Sequence, residues 1–311
     1  MKTVKITPRG YCHGVVNAIN TITKIGDLST KKPIYILGMV IHNKKVVESF
    51  DDLGVITLDD KGKTRLELLD EIDSGTVVFT AHGVSPEVFK KAKEKGLDII
   101  DTTCKDVYKS QDVVVEYLNN GYDIIYIGKK HHPESEAAMG ISPKVHFVET
   151  IDDVKHLNLS SDKIAVTNQT TMSFSDVFLL AEQAKKIYPQ LEFIDEICNA
   201  TRIRQEAISK QDGIDHCFVV GDKLSNNSQK LAYVSKTTAN VDATLIESVE
   251  DIDIEVLKTF ETVSVSSGAS TPTKVTNEVI QFLEKFDKND PSTHNNVSSI
   301  TPQNLFKKST S

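Results

Sequence analysis

The 311-residue sequence predicts an α/β fold made of three similar units, with mostly parallel sheets covered by helices. Two observations predict it. Apolar runs of strand length alternate with stretches of helical spacing along the chain. Three of the four cysteines also occupy equivalent places in that alternation. Cys104 follows Cys12 by 92 residues, and Cys198 follows Cys104 by 94.

Each of these cysteines ends a strand-like run: VKI, LDIIDTTC or LEFIDEIC. Each precedes a helical stretch: VVNAINTITKI, VYKSQDVVVEYL or TRIRQEAISK. A strand ending in glycine comes next, at Gly38, Gly128 and Gly221, which lie 26, 24 and 23 residues beyond the cysteine. The glycine leads into a polar cluster: H42N, H131HPE or S225NNS. A short strand with acidic followers is next: VITLDD, HFVETIDD or TLIESVED. A last apolar run then ends in a second polar cluster: VVFTAHGVS, IAVTNQTTMS or VSVSSGASTP.

Six features in one order, three times over, mark three copies of one unit. The expected units are 14–104, 105–195 and 196–287, the last completed by an N-terminal strand within 1–13. Residues 288–311 form a polar tail. It is expected to be mobile, because it has too little apolar surface to offset its ordering entropy. Ligand-binding groups of parallel sheets gather beyond the carboxyl ends of the strands. Every polar cluster here follows a strand, so a pseudo-threefold arrangement would bring the clusters to one centre. Cys217 lies inside the strand DHCFVV without a counterpart and reads as a buried structural thiol.

Composition narrows the function. Hydrophobic content of 39 % with 26 % charged residues is that of a soluble globular protein. No run of about 18 apolar residues is present, which argues against a membrane span. The N-terminus enters a strand at once, without a signal-peptide core, so a cytoplasmic location is expected. A net charge of −8 argues against a global nucleic-acid footprint. Four cysteines in a chain of this length are no disulfide scaffold, and no CxxC pair occurs. Buried thiols or metal ligands are the readings left. Three convergent cysteines fit a zinc site with one open position or an iron–sulfur cluster with one open iron. Spacing alone does not choose between them.

The strand-end clusters supply His42, His82, His131, His132, Glu134, Thr170, Ser225, Asn227 and Ser270. Such a set of donors, joined by helix N-termini, suits phosphate or diphosphate. The stretches S85PEVF, T171MSFSD and S270TPTK read as helix starts with Ser/Thr caps. His132 and Glu134, separated by Pro133, form the natural acid/base pair. His131 is assigned no role.

The stretches P8RGYCHGVVNAI, G38MVIHN, F79TAHGVS, D101TTC, G128KKHHPE, N168QTTMS, C198NATRIRQ, V220GDKLSNNS and S267GASTP together resemble one family, the 4-hydroxy-3-methylbut-2-enyl diphosphate reductases of the non-mevalonate isoprenoid pathway. The resemblance covers residue 4 to about 285. It implies a three-unit cloverleaf around a central [4Fe–4S] cluster, with Cys12, Cys104 and Cys198 as ligands. It implies that His42, His82, His132, Ser225, Asn227 and Ser270 hold the substrate's diphosphate, with Thr170 and Asn226 also counted as substrate-binding. Asn226 departs from the pattern, since many relatives have serine there. Glu134 matches the proton relay, with Thr170 as the hydroxyl beside it and His132 as the catalytic neighbour. The implied reaction is a two-electron reductive dehydroxylation giving isopentenyl and dimethylallyl diphosphate. A ferredoxin or flavodoxin type of donor would supply the electrons. His13 replaces a small residue common in relatives and reads as part of a helix start. Two other classes stay open on the residues alone: a zinc-dependent hydrolase or lyase acting on a phosphorylated substrate, and a cluster protein that senses redox state.

Overall fold

The computed structural model describes residues 1–25, 31–50, 53–60 and 62–306. Strand β1 (Lys2–Lys5) leads to Cys12 and helix α1 (His13–Thr23). Strands β2 (Ile34–Leu37), β3 (Val55–Leu58), β4 (Thr76–Phe79) and β5 (Asp98–Asp101) form a parallel sheet in the order β3-β2-β4-β5. Strands β6 (Asp123–Ile127), β7 (Val145–Val148), β8 (Ile164–Asn168) and β9 (Glu192–Phe193) form a second, ordered β7-β6-β8-β9. Strands β10 (His216–Val220), β11 (Ala243–Ile246) and β12 (Thr262–Ser267) pair with β1 in the order β11-β10-β12-β1.

These are one order repeated. In each sheet the first strand of the repeat pairs with the second on one side and the third on the other. The fourth strand edges the third, and a cysteine follows it: Cys104 after β5, Cys198 after β9, Cys12 after β1. In the third sheet the fourth place is taken by the strand at the opposite end of the chain. Parallel neighbours require crossover connections, and helices supply them.

The helices are α2 (Lys44–Glu48), α3 (Arg65–Asp70), α4 (Pro86–Glu94), α5 (Lys105–Asn119), α6 (Pro133–Met139), α7 (Ile151–His156), α8 (Phe174–Ile187), α9 (Asn199–Ser209), α10 (Asn226–Thr237), α11 (Ile254–Leu257) and α12 (Thr273–Lys285). Helices on both faces explain the continuous apolar runs of the central strands. Every residue of β4 and β8 is buried, whereas both residues of the edge strand β9 are exposed.

The chain folds into two compact units: Met1–His13, His42–Asp52 and Asn199–Ser311 in one, Gly14–Ile41 and Leu53–Cys198 in the other. The first holds the sheet completed by β1, with Ile6, Ile208, Val219, Leu231 and Val234 in its core. The second holds the other two sheets. One packs Leu68, Val77, Phe79 and Val88, and the other packs Ile127, Val166, Val177 and Leu180. Each such side chain contributes about 1.5–3 kcal/mol on burial. Cys217 lies fully buried in β10, and that burial pushes its thiol up.

Two of the three expected helix starts carry a Ser/Thr cap within the stretch read. The Ser85 hydroxyl accepts from the Val88 N–H, with Pro86 in the first turn of α4. In T171MSFSD the Ser173 hydroxyl caps α8, accepting from the Asp176 N–H at 3.2 Å, whereas α12 begins behind Pro272 without a side-chain cap. Ser270, at the head of that third stretch, donates instead to the His42 carbonyl at 3.1 Å.

The polar residues beyond Lys288 lie along the first unit. Asn296 Nδ2 donates to the carbonyls of Val249 and Ile252 at 3.1 and 3.0 Å. The hydroxyls of Ser298 and Ser299 donate to Glu278, each at 2.7 Å. Leu305 is buried, and the Phe306 ring stacks on Phe50 at 5.8 Å. Residues 307–311 of the expected tail lie outside the described residues. Among the described residues no helix is long and apolar enough to cross a membrane.

Candidate active site

The three repeated cysteines share one backbone arrangement. The Cys12 N–H donates to the carbonyl of Ala269, that of Cys104 to Ala81, and that of Cys198 to Thr170, each at 3.0 Å. Each acceptor lies in the loop after the third strand of its sheet. The same hydrogen bond therefore carries each chain end from the edge strand across to the loop. A helix begins immediately after each cysteine: α1, α5 and α9. Gly14 and Cys104 are also close neighbours, since a Cβ on Gly14 would lie 2.6 Å from Cys104 Sγ.

These thiols fit a metal or cluster. None is in a disulfide, all three are partly exposed, and Cys217 by contrast is buried. Helix starts add partial positive charge, which suits thiolate ligands.

Among the described residues of the second unit, Glu134 is the carboxyl moved furthest from its ordinary pKa. Its side chain is 3 % exposed, in the first turn of α6. Burial raises its pKa from 4.5 to about 7, against the opposing hydrogen bonds from Thr170. Those bonds fix both oxygens. The Thr170 N–H donates to Oε1 at 2.6 Å, and the Thr170 hydroxyl donates to Oε2 at 3.1 Å. Tyr126 lies fully buried beside it, and that burial pushes its phenol up, so the neighbour stays neutral.

His132 caps α6. Its Nδ1 accepts from the Glu134 N–H at 3.2 Å. That bond makes Nδ1 the acceptor and leaves the ring proton on Nε2. The His82 ring meets the His132 ring edge-on, with centroids 5.3 Å apart. Pro133 at the first helical position removes an N–H that would have had no partner and fixes the turn between the two side chains.

The first unit gathers His42, Ser225, Asn226, Asn227 and Ser270. The Ser225 hydroxyl caps α10, accepting from the Ser228 N–H. The Ser270 hydroxyl, which donates to the His42 carbonyl, lies 3.3 Å from Ser225 Oγ. Asn227 is engaged at both ends of its amide: Nδ2 donates to Thr201 Oγ1 at 3.1 Å and Oδ1 accepts from the Ala269 N–H at 3.0 Å. One Asn227 N–H remains for a ligand. Asn226 is buried next to it.

Four supporting contacts were not legible in the sequence. Asp222 accepts from the Lys44 N–H at 2.9 Å, which ties the start of α2, just past His42, to the end of β10. Arg204 is buried and donates to the Gly10 carbonyl at 2.7 Å, which pins the turn ahead of Cys12. Lys109 reaches both oxygens of the buried Glu196 at 3.1 and 3.0 Å. That pair links the helix after Cys104 to the segment before Cys198. In the second unit Arg65 gives its N–H to Glu136 Oε1 at 2.7 Å, two residues along α6 from Glu134. The one visible signal was placement, because Glu196 and Asp222 lie inside or beside the recurring motifs.

A family profile described as "LytB protein" matches residues 4–284. The 4-hydroxy-3-methylbut-2-enyl diphosphate reductase of Bacillus cytotoxicus is 52 % identical over 309 residues, covering 98 % of this chain and 98 % of the relative. The enzyme of the same name from Geobacillus kaustophilus is 52 % identical over 311 residues, covering 99 % and 98 %. The solved structure of the E-1-hydroxy-2-methyl-but-2-enyl-4-diphosphate reductase from Plasmodium falciparum superposes with a TM-score of 0.85 at 33 % identity, covering 98 % of this chain and 96 % of that one. This chain belongs to the LytB family, and with it to the oxidoreductases.

Proposed function

We propose that the chain reduces 4-hydroxy-3-methylbut-2-enyl diphosphate to isopentenyl and dimethylallyl diphosphate on a [4Fe–4S] cluster. Cys12, Cys104 and Cys198 are its protein ligands, and one iron stays open. Reduction replaces a C–O bond with a C–H bond. Two electrons and two protons enter, and the oxygen leaves as water. When bound, the cluster supplies the electrons and a Lewis-acidic iron.

The chain's residues do the rest. Glu134 gives a proton to the leaving oxygen. The supporting observation is its pKa of about 7, which leaves a large fraction of the carboxyl protonated at neutral pH. Thr170 holds the carboxyl in one orientation through two bonds, so the proton is aimed before substrate arrives. His132, with its proton on Nε2, donates to the substrate. His42, His82, Ser225, Asn226, Asn227 and Ser270 offer neutral or cationic donors to the diphosphate. Anchoring that end turns binding energy into placement of the far hydroxyl. Electrons come from a ferredoxin or flavodoxin type of donor. A reducing compartment, the cytoplasm, suits thiolate ligands. The zinc hydrolase alternative finds no support among relatives that carry reductase names.

The test is anaerobic purification with metal and sulfide analysis, then turnover with a reduced viologen. The expected result is about four irons and four sulfides per chain, with the hydroxylated diphosphate consumed and both isomeric products formed. Zinc without sulfide, or a loaded cluster that leaves the diphosphate untouched, would overturn the reading.

A further inference from the structure

The second unit carries a groove that the substrate site does not use. It has a volume of about 500 Å³ and runs between α4 and α5. Pro86, Phe89, Lys90 and Lys93 line it from α4, and Tyr108, Gln111, Asp112 and Val115 line it from α5. Both sets follow the i, i+3, i+4, i+7 spacing of a single helix face. Two helices therefore turn an ordered stripe toward the groove, and Phe89 in that stripe also packs edge-on to the core residue Phe79. Tyr108 and Val115 are exposed there.

The groove reaches the cysteine side of the fold. Thr103, which precedes Cys104, lines it. The floor is the loop that carries His82. A Cβ on Gly83 would lie 3.1 Å from Gln111 Nε2 and 3.2 Å from Thr103 Cγ2. Gln111 Nε2 is buried and makes no hydrogen bond there.

Charge points to the occupant. The chain as a whole is acidic, at −8, yet Lys90 and Lys93 stand together on this rim. Lys93 lies over the Phe89 ring, and Lys90 reaches Glu94 only at 3.8 Å in an exposed pair that holds it weakly. Two lysines against the single carboxylate Asp112, over the apolar side chains of Val84, Phe89, Val115 and Ile141, suit a small, transient redox interface.

We infer that the α4–α5 groove docks the electron donor, a small acidic redox protein, and that electrons enter beside Cys104. The inference rests on the reductase reading above. The test compares two reductants on the anaerobic holoenzyme: an acidic ferredoxin and reduced methyl viologen. The variants are Lys90→Glu with Lys93→Glu, and separately Val115→Asp. Charge reversal is expected to lower kcat/KM for ferredoxin about tenfold or more and to flatten its salt dependence. Viologen turnover should stay within about twofold, since a small reductant needs no docking face. Val115→Asp should act on the ferredoxin arm alone. Ferredoxin kinetics like wild type in both variants would overturn the inference. So would equal losses with both reductants, or a wild-type dimer that Val115→Asp splits, which would make the groove a contact between copies. Wild-type protein that fails with viologen too would sink the reductase reading instead.

Discussion

The corners at His132 and Ser225 have the same frame and opposite chemistry. Each follows the first strand of its repeat, with the cap four residues beyond Gly128 or Gly221. In both, a serine three residues past the cap packs on that glycine. An added Cβ would come within 2.4 Å of Ser135 Oγ at Gly128 and 2.2 Å of Ser228 Oγ at Gly221. The backbone is thus a generic cradle. At one corner the second helical residue is Glu134, desolvated until it titrates near neutrality. At the other it is Asn227, an amide held at both ends. A carboxyl at the first corner can move a proton. At the second corner a charged acid would repel an anion, and neutral donors can hold one. On the proposed reading, one repeated frame serves acid catalysis at one corner and anion binding at the other, through the side chains of the cap and the first helical turn.

Glu134→Gln should break the contrast most sharply. Turnover is expected to fall about 10²–10⁴-fold with iron and sulfide content unchanged, read by anaerobic kinetics beside metal analysis. Stability should move as well. The carboxyl's pKa is higher in the folded protein, about 7, than its ordinary 4.5. The folded state therefore holds a proton that the unfolded chain releases. The contribution of Glu134 to stability is fully present below about pH 4.5, falls between the two values, and is lost above about 7. The loss is on the order of 3 kcal/mol. Denaturant titrations across that window should show the slope in wild type and its absence in Glu134→Gln.

Ser225→Ala tests the other corner. Removing one donor of a ligand should raise KM roughly 5- to 30-fold, from about 1–2 kcal/mol. The pH profile of kcat should stay where Glu134 puts it. A shifted profile would mean that the two corners are not chemically separate.

Lys109→Met asks whether the ion pair with Glu196 supports the cysteine segments. The carboxylate is buried and its partner mostly exposed, so the expected cost is about 1–2 kcal/mol. The readout is faster loss of iron to a chelator. An unchanged chelation rate would restrict the pair to fold stability.

The smallest effect is expected from Phe306→Ala. Losing the stack on Phe50 should cost about 0.5–1.5 kcal/mol. Faster amide exchange confined to the α2 region would place the C-terminal segment among the supports of the His42 loop. Exchange spread over the whole unit would not.

Much of the frame was legible because its signals are local. Every strand expected from an apolar run formed, and the three cysteines end equivalent strands because turn glycines, caps and hydrophobic periods act within a few residues. Pro133 was legible as the first helical residue between His132 and Glu134, but the ring turned out to cap the Glu134 N–H while Thr170 holds the carboxyl. The cap read in S270TPTK does not form, for the same reason. Ser270 lies near a helix start, and a hydroxyl beside a helix reads as a cap until a better partner, here the His42 carbonyl, appears from elsewhere in the chain.

By itself the sequence determined the repeat, the strand-helix alternation and the placing of thiols and donors at strand ends. The tertiary structure decided what those groups became. Arg204 bonds Gly10 across 194 positions, and the Gly10 N–H meets Ser267 Oγ across 257. It was likewise folding, through desolvation, that moved the Glu134 carboxyl to about 7. A period is written in neighbouring residues, but the dielectric around a carboxyl and the partner of a hydroxyl come from segments that only folding brings within reach.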